Sequence, residues 1–93
     1  MKTTLDEMQA FIAVVDAGAI SRAAEHLGLT VSAVSRTLNR LEEKLNTTLL
    51  RRTTRRLELT EEGAVFLERA RSIVAHVEEA EEDLAIRRQQ PVG

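Results

Sequence analysis

Residues 21–40 read Ser-Arg-Ala-Ala-Glu-His-Leu-Gly-Leu-Thr-Val-Ser-Ala-Val-Ser-Arg-Thr-Leu-Asn-Arg. Gly28 divides them into two helical segments joined by a tight turn that needs a positive φ, which glycine adopts without strain. Ser21 is a candidate N-cap of the first segment and Thr30 of the second. Ala23 and Ala24 are small enough to let a neighbouring helix come close. Val34, Leu38, Leu41 and Leu45 recur at helical spacing and predict a buried stripe. Ser32, Ser35, Arg36 and Asn39 fall largely on the other side. Leu29 is expected to plug the core beneath the turn. Two helices around a glycine turn, the second with small polar residues and arginines on its free face, predict a helix-turn-helix. That unit offers its second helix to the major groove of DNA.

The flanks support this unit. Thr4 and Glu7 form a capping box, and Leu5, Met8, Phe11, Ile12 and Val15 recur along one face of a first helix that Ala17-Gly18 ends. Asn46 ends the third helix. Leu49–Arg52 and Leu57–Thr60 read as short strands around Thr53-Thr54-Arg55-Arg56, which makes a basic wing. Thr60 caps a fourth helix, with Glu61 and Glu62 at its positive end, running to about Arg88. Along it Gly63, Ala70, Val77 and Leu84 are spaced by seven, as are Phe66, Ile73 and Ala80, which gives an a/d seam that Leu67 and Val74 widen. A helix of that length reaches about 40 Å at its 1.5 Å rise per residue, more than so small a core can cover. The seam therefore predicts a second copy, antiparallel about a two-fold axis. The expected fold is mainly α: a winged helix-turn-helix over 1–60, a linker and dimerisation helix over 61–88, and a flexible tail or start of a linker over 89–93.

Ninety-three residues leave room for one domain. Phe11 and Phe66 are the only aromatic residues, and the absence of cysteine excludes disulfides, thiolate zinc sites and a cysteine nucleophile. A cytoplasmic location is expected, with no membrane span and no leader. The net charge of −2 hides a division along the chain. From Arg36 to Arg56 seven basic residues face two acids, whereas Glu61 to Asp83 holds eight acids and two arginines. Screening over roughly 8–10 Å lets one face attract phosphate while a distant face stays acidic. His26 and His76 have no metal-ligand cluster around them, and Glu78, Glu79, Glu81, Glu82 and Asp83 read as a solvated helix flank. No phosphate loop, triad or catalytic carboxylate pair emerges. No enzyme, metal or cofactor is expected.

Six pieces, in order, now carry a resemblance: Phe11-Ile12-Ala13-Val14-Val15, Ser21-Arg22-Ala23-Ala24-Glu25, Ser32-Ala33-Val34-Ser35-Arg36, Leu41-Glu42, Leu50-Arg51-Arg52-Thr53 and Leu59-Thr60-Glu61-Glu62-Gly63. Over roughly Leu5 to Val77 the chain resembles the DNA-binding domain of LysR-type transcriptional regulators. The resemblance implies a winged helix-turn-helix, a dimer through the linker helix that leaves a tetramer open for a full-length protein, and a larger effector-binding domain downstream. It implies that Ser35 and Arg36 meet base edges and backbone, that Arg55 enters the minor groove, and that Arg22 and Thr30 contact phosphates. The chain departs from the family pattern at Val31-Ser32, where Gln-Pro is common. Glutamine can pair with adenine in two hydrogen bonds, whereas Val31 offers only apolar contact, for instance to a thymine methyl. A different base preference is expected there.

The candidate DNA-contacting residues are thus Arg22, Thr30, Val31, Ser32, Ser35, Arg36, Asn39, Arg40, Arg52, Arg55 and Arg56. Arg40 is either a phosphate contact or a member of a surface ion pair. Side-chain direction alternates along a strand, so Arg51 and Arg52 do not both face DNA, and one is available to pair with Glu42 or Glu43. The candidate dimer contacts are Gly63, Phe66, Ala70, Ile73, Val77, Ala80 and Leu84. The competing reading is a helical protein-interaction module that uses the same seam without a DNA target.

Overall fold

The computed structural model of the chain describes residues 1–53 and 56–89. Its elements are α1 (Leu5–Ala17), α2 (Ile20–Leu27), α3 (Val31–Leu45), β1 (Leu50–Arg52), β2 (Leu57–Leu59) and α4 (Glu61–Gln89). Helix α1 starts on the expected capping box: Thr4 Oγ1 accepts from the Glu7 N–H, and Glu7 Oε1 accepts from the Thr4 N–H. Gly18 ends it in the left-handed conformation. The buried face of α1 carries Glu7, Met8, Ala10, Phe11 and Val14, whereas Leu5 is exposed and Ile12 and Val15 only partly buried. The face is rotated from the expected one because α2, α3 and α4 all pack against this helix.

Helix α2 begins at Ile20, one residue before the expected N-cap at Ser21. Ala19 is extended and supplies no side-chain cap, and Ile20 packs against the core as the first helical residue. The turn at Gly28 forms as expected, with φ at 68° and the glycine N–H directed at the carbonyls of Ala24 and Glu25. Leu29 does not plug the core and is 49% exposed. Its backbone N–H returns to the Ala24 carbonyl, closing the helix end. Thr30 then caps α3 by accepting from the Ala33 N–H. Val34, Leu38 and Leu41 are fully buried beneath α3, Leu45 is half-buried, and Asn46 ends the helix in the left-handed region. Phe11, Val14, Ala23, Ala24, Leu49 and Leu50 complete the core.

Strands β1 and β2 pair antiparallel, Leu50 opposite Leu59 and Arg52 opposite Leu57. Leu57 is half-buried, but Leu59 is 38% exposed, so the strand alternation does not carry both leucines inward. Thr60 ties the wing to α4. Its N–H donates to the Leu49 carbonyl, and its hydroxyl donates to the Thr48 carbonyl and accepts from the Gly63 N–H. Thr60→Val keeps the shape and removes these hydroxyl bonds. It is expected to cost about 1–2 kcal/mol, read as a lower urea midpoint at unchanged m-value. An unchanged midpoint would show that the cap contributes nothing.

The first turns of α4 belong to the core. Gly63 and Ala70 are buried, and the Phe66 ring lies 5.7 Å from the Phe11 ring. Farther along, α4 leaves the body, and the molecule measures 61 × 26 × 18 Å. Among the described residues no helix is long and apolar enough to cross a membrane.

Candidate nucleic-acid interface

One face of the molecule is built from α3 and the wing. Thr30 fixes the start of α3, and the leucine stripe anchors its back, which leaves Val31, Ser32, Arg36, Asn39 and Arg40 exposed in front. Ser35 is half-buried. Arg22 is exposed on α2. Thr30 is exposed too, although its hydroxyl is engaged by the cap.

Arg52 on β1 donates from Nη2 to Asn39 Oδ1 at 3.1 Å, joining the wing to the free face of α3. Arg51 and Arg52 are both exposed, and neither pairs with Glu42 or Glu43. The Glu42 carboxylate is committed elsewhere: Oε2 accepts from the backbone N–H groups of Leu49 and Leu50 at 2.7 and 3.1 Å. Glu42 therefore positions the wing relative to α3. Thr53 accepts from the Arg56 N–H through its hydroxyl and donates to the Arg56 carbonyl, closing the base of the wing turn and leaving Arg56 exposed. Arg55 lies outside the described residues.

Arg36 and Arg40 form no ion pair among the described residues. The two ion pairs found there brace the helices away from this face. Lys44, near the end of α3, meets the buried Glu7 at 2.7 Å. Burial pushes the Glu7 carboxyl up, but hydrogen bonds from Lys44 and Thr4 outweigh it and hold the group below its ordinary value. Arg71 of α4 grips both oxygens of Asp16 on α1, at 3.2 and 2.6 Å, and holds that carboxyl below its ordinary value. Both partners of this second pair are about half exposed, so it orients α4 more than it stabilises it. Sequence reasoning missed both pairs. Lys44 and Arg71 stand 37 and 55 residues from their partners, and no local spacing announces a contact of that range.

The residues expected along the α4 seam divide. Gly63 and Ala70 are consumed within the chain: Gly63 lies against the Leu49 carbonyl and Ala70 is fully covered. Phe66 and Val77 are partly buried, whereas Ile73, Ala80 and Leu84 are exposed.

Residues 5–64 match the family of bacterial regulatory helix-turn-helix proteins, lysR family. The chain is 48% identical over its whole length to the HTH-type transcriptional regulator CrgA of Neisseria meningitidis and spans 31% of that protein. The solved structure of CrgA, a LysR-type transcriptional regulator, superposes over 99% of the chain with a TM-score of 0.82. The BenM_DBD/catB site 1 DNA complex gives a TM-score of 0.90 at 27% identity, covering 96% of this chain and all of that one. The CbnR_DBD–DNA complex gives 0.85 at 31% identity, covering 94% of this chain and all of that one. With its winged helix-turn-helix and long following helix, the chain belongs to the LysR family of bacterial regulatory proteins.

Proposed function

We propose that this chain binds duplex DNA sequence-specifically as a dimer and regulates transcription from the cytoplasm. The observation that carries the reading is the free face of α3, whose arginines have no ion pair among the described residues and lie beside a wing strand tied to it through Asn39 and Arg52. The overlap with DNA complexes of BenM and CbnR supports the same use of the face. Helix α3 enters the major groove. Ser35 and Arg36 read bases, and Val31 and Ser32 shape the contact. Thr30, Arg22 and Arg40 hold phosphates. The wing, with Arg52, Arg55 and Arg56, follows the adjacent minor groove, where a narrow A·T-rich segment strengthens the attraction. Dimerisation uses the exposed stripe of α4, with Phe66, Ile73, Val77, Ala80 and Leu84 as its apolar members. A purely protein-binding role leaves the free arginines of α3 without a purpose.

The test begins with duplexes selected from a random pool. On a selected duplex, Arg36→Ala is expected to lose roughly 1–3 kcal/mol of affinity, and much less on a scrambled one. Fluorescence anisotropy at fixed salt reads both, because affinity falls steeply with ionic strength. Equal affinity of variant and parent for the selected site would overturn the base-reading role of Arg36. No binding to any duplex at low salt would overturn the proposal itself.

A further inference from the structure

Asn39 and Arg52 meet across the gap between α3 and the wing. Side chains alternate along a strand, and Leu50 is buried toward the core. Arg52, two residues on, therefore leaves β1 on the same side as Leu50 and reaches α3. There its Nη2 donates to Asn39 Oδ1 at 3.1 Å. One turn farther along α3, Glu42 accepts from the N–H groups of Leu49 and Leu50. Helix α3 thus holds β1 at both ends, through Glu42 at its start and through Asn39 at Arg52. The second of these bonds lies in the open. Asn39 and Arg52 are both exposed, and Arg52 has no carboxylate partner among the described residues.

The chemistry of the two groups fixes what they offer outward. A guanidinium carries donors only, so the Asn39 amide oxygen faces it and the amide NH2 is turned away. An unencumbered asparagine reads adenine by accepting from N6 and donating to N7. Here Arg52 competes for the oxygen, and what Asn39 offers freely is a donor. Arg52 uses one N–H on Asn39 and keeps the others, together with its charge. Two adjacent donor groups, one of them an unpaired cation, match an anionic oxygen better than a base edge that carries donors of its own.

We propose that Asn39 and Arg52 together clamp one backbone phosphate of the duplex, and that Asn39 positions the protein without reading a base. The proposal rests on the DNA binding stated above and gives Asn39 its role within it. With α3 in the major groove and the wing along the adjacent minor groove, the sugar-phosphate strand that divides the two grooves crosses between them. The Asn39–Arg52 bond spans that gap. The clamp sets the register of the wing and α3 on the backbone. Arg36, exposed one turn nearer the start of α3, is left to discriminate bases.

Neutral methylphosphonates test the clamp. Each phosphate of a selected duplex is replaced in turn, symmetrically in both half-sites, and anisotropy reads the binding of parent, Asn39→Ala and Arg52→Ala. Both side chains are exposed and outside the core, so truncation leaves the fold in place. The parent is expected to lose affinity at several phosphates, one of which Arg52→Ala no longer senses and Asn39→Ala senses less. On unmodified DNA each variant should bind about three- to tenfold more weakly, equally on selected and scrambled duplexes. Arg52→Ala should lower the salt slope by about 1 per protomer, and Asn39→Ala, which removes no charge, should leave it unchanged. The double variant should lose little more than Arg52→Ala alone, since both side chains act on one phosphate. Loss of preference at one base pair in Asn39→Ala, without an equal loss on scrambled DNA, would overturn the clamp in favour of base reading. Responses of the two variants at different phosphates, or additive losses in the double variant, would overturn it as well. Failure of the parent to bind any duplex at low salt refutes instead the DNA binding beneath the proposal.

Discussion

Gly63→Ala is expected to destabilise the domain by about 2–3 kcal/mol, lowering Tm by about 10–20 °C at fixed protein concentration. On an exposed helix the same change would stabilise by about 1 kcal/mol, since alanine is the better helix former. The sign therefore reports the contact. A Cβ built on Gly63 falls 2.1 Å from the Leu49 carbonyl oxygen and 3.0 Å from both the Leu49 carbonyl carbon and Leu59 Cδ1. The first two are backbone atoms, so no side-chain rotation relieves them. The foot of α4 has to move off β1, and that movement strains the bonds from Thr60 to the Thr48 and Leu49 carbonyls. Calorimetry of parent and variant checks this. An unchanged or raised Tm would show that α4 and the wing part without cost. The functional consequence follows from the same geometry: a displaced α4 foot deforms the groove beside Leu45 and Leu49, and with it the base of the wing.

How much of this was legible beforehand depended on the range of the interaction. The capping box at Thr4, the cap at Thr30, the turn at Gly28 and the stop at Asn46 are written within four residues, and all four stand where the residues place them. The free face of α3 was legible too, because its leucine stripe leaves one way for Arg36, Asn39 and Arg40 to point. What failed was set by packing at long range. Heptad spacing along α4 put Gly63 and Ala70 on the seam with Phe66 and Ile73, but a seam read from spacing cannot tell a partner copy from the chain's own core. The core claims the first turns, and the free stripe survives only from Ile73 onward, with Phe66 and Val65 at the groove. Leu29 failed for a related reason. Its backbone closes the end of α2, and that geometry turns the side chain outward. Glu42 looked like a partner for a wing arginine because charge is visible in a sequence, whereas the unpaired N–H groups of Leu49 and Leu50 are not.

Lys44→Met is expected to cost about 2–3 kcal/mol at neutral pH, and the loss is expected to shrink on acidification. Glu7 is 3% exposed, so its carboxylate depends on partners inside the protein. Lys44 supplies the only cation there among the described residues, at 2.7 Å, and the remaining support is the Thr4 N–H at 2.9 Å. The magnitude stays below that of a fully buried pair because the Lys44 side chain is 29% exposed and water reaches it. Methionine preserves most of the apolar stem, so the change isolates the charge. In the parent, the Glu7 carboxyl lies below its ordinary value. Its contribution is therefore present above the unfolded-state pKa and is lost as pH falls through the folded-state value. In the variant, burial is no longer offset by the lysine and raises the folded-state value, so protonation relieves the site instead of weakening it. Urea unfolding of both proteins at pH 7 and pH 4 measures the two gaps. A narrower gap at pH 4 assigns the loss to an unpaired carboxylate. A gap independent of pH would assign it to the lost packing of the lysine stem, and would remove Glu7 as the electrostatic clamp that holds the end of α3 to α1.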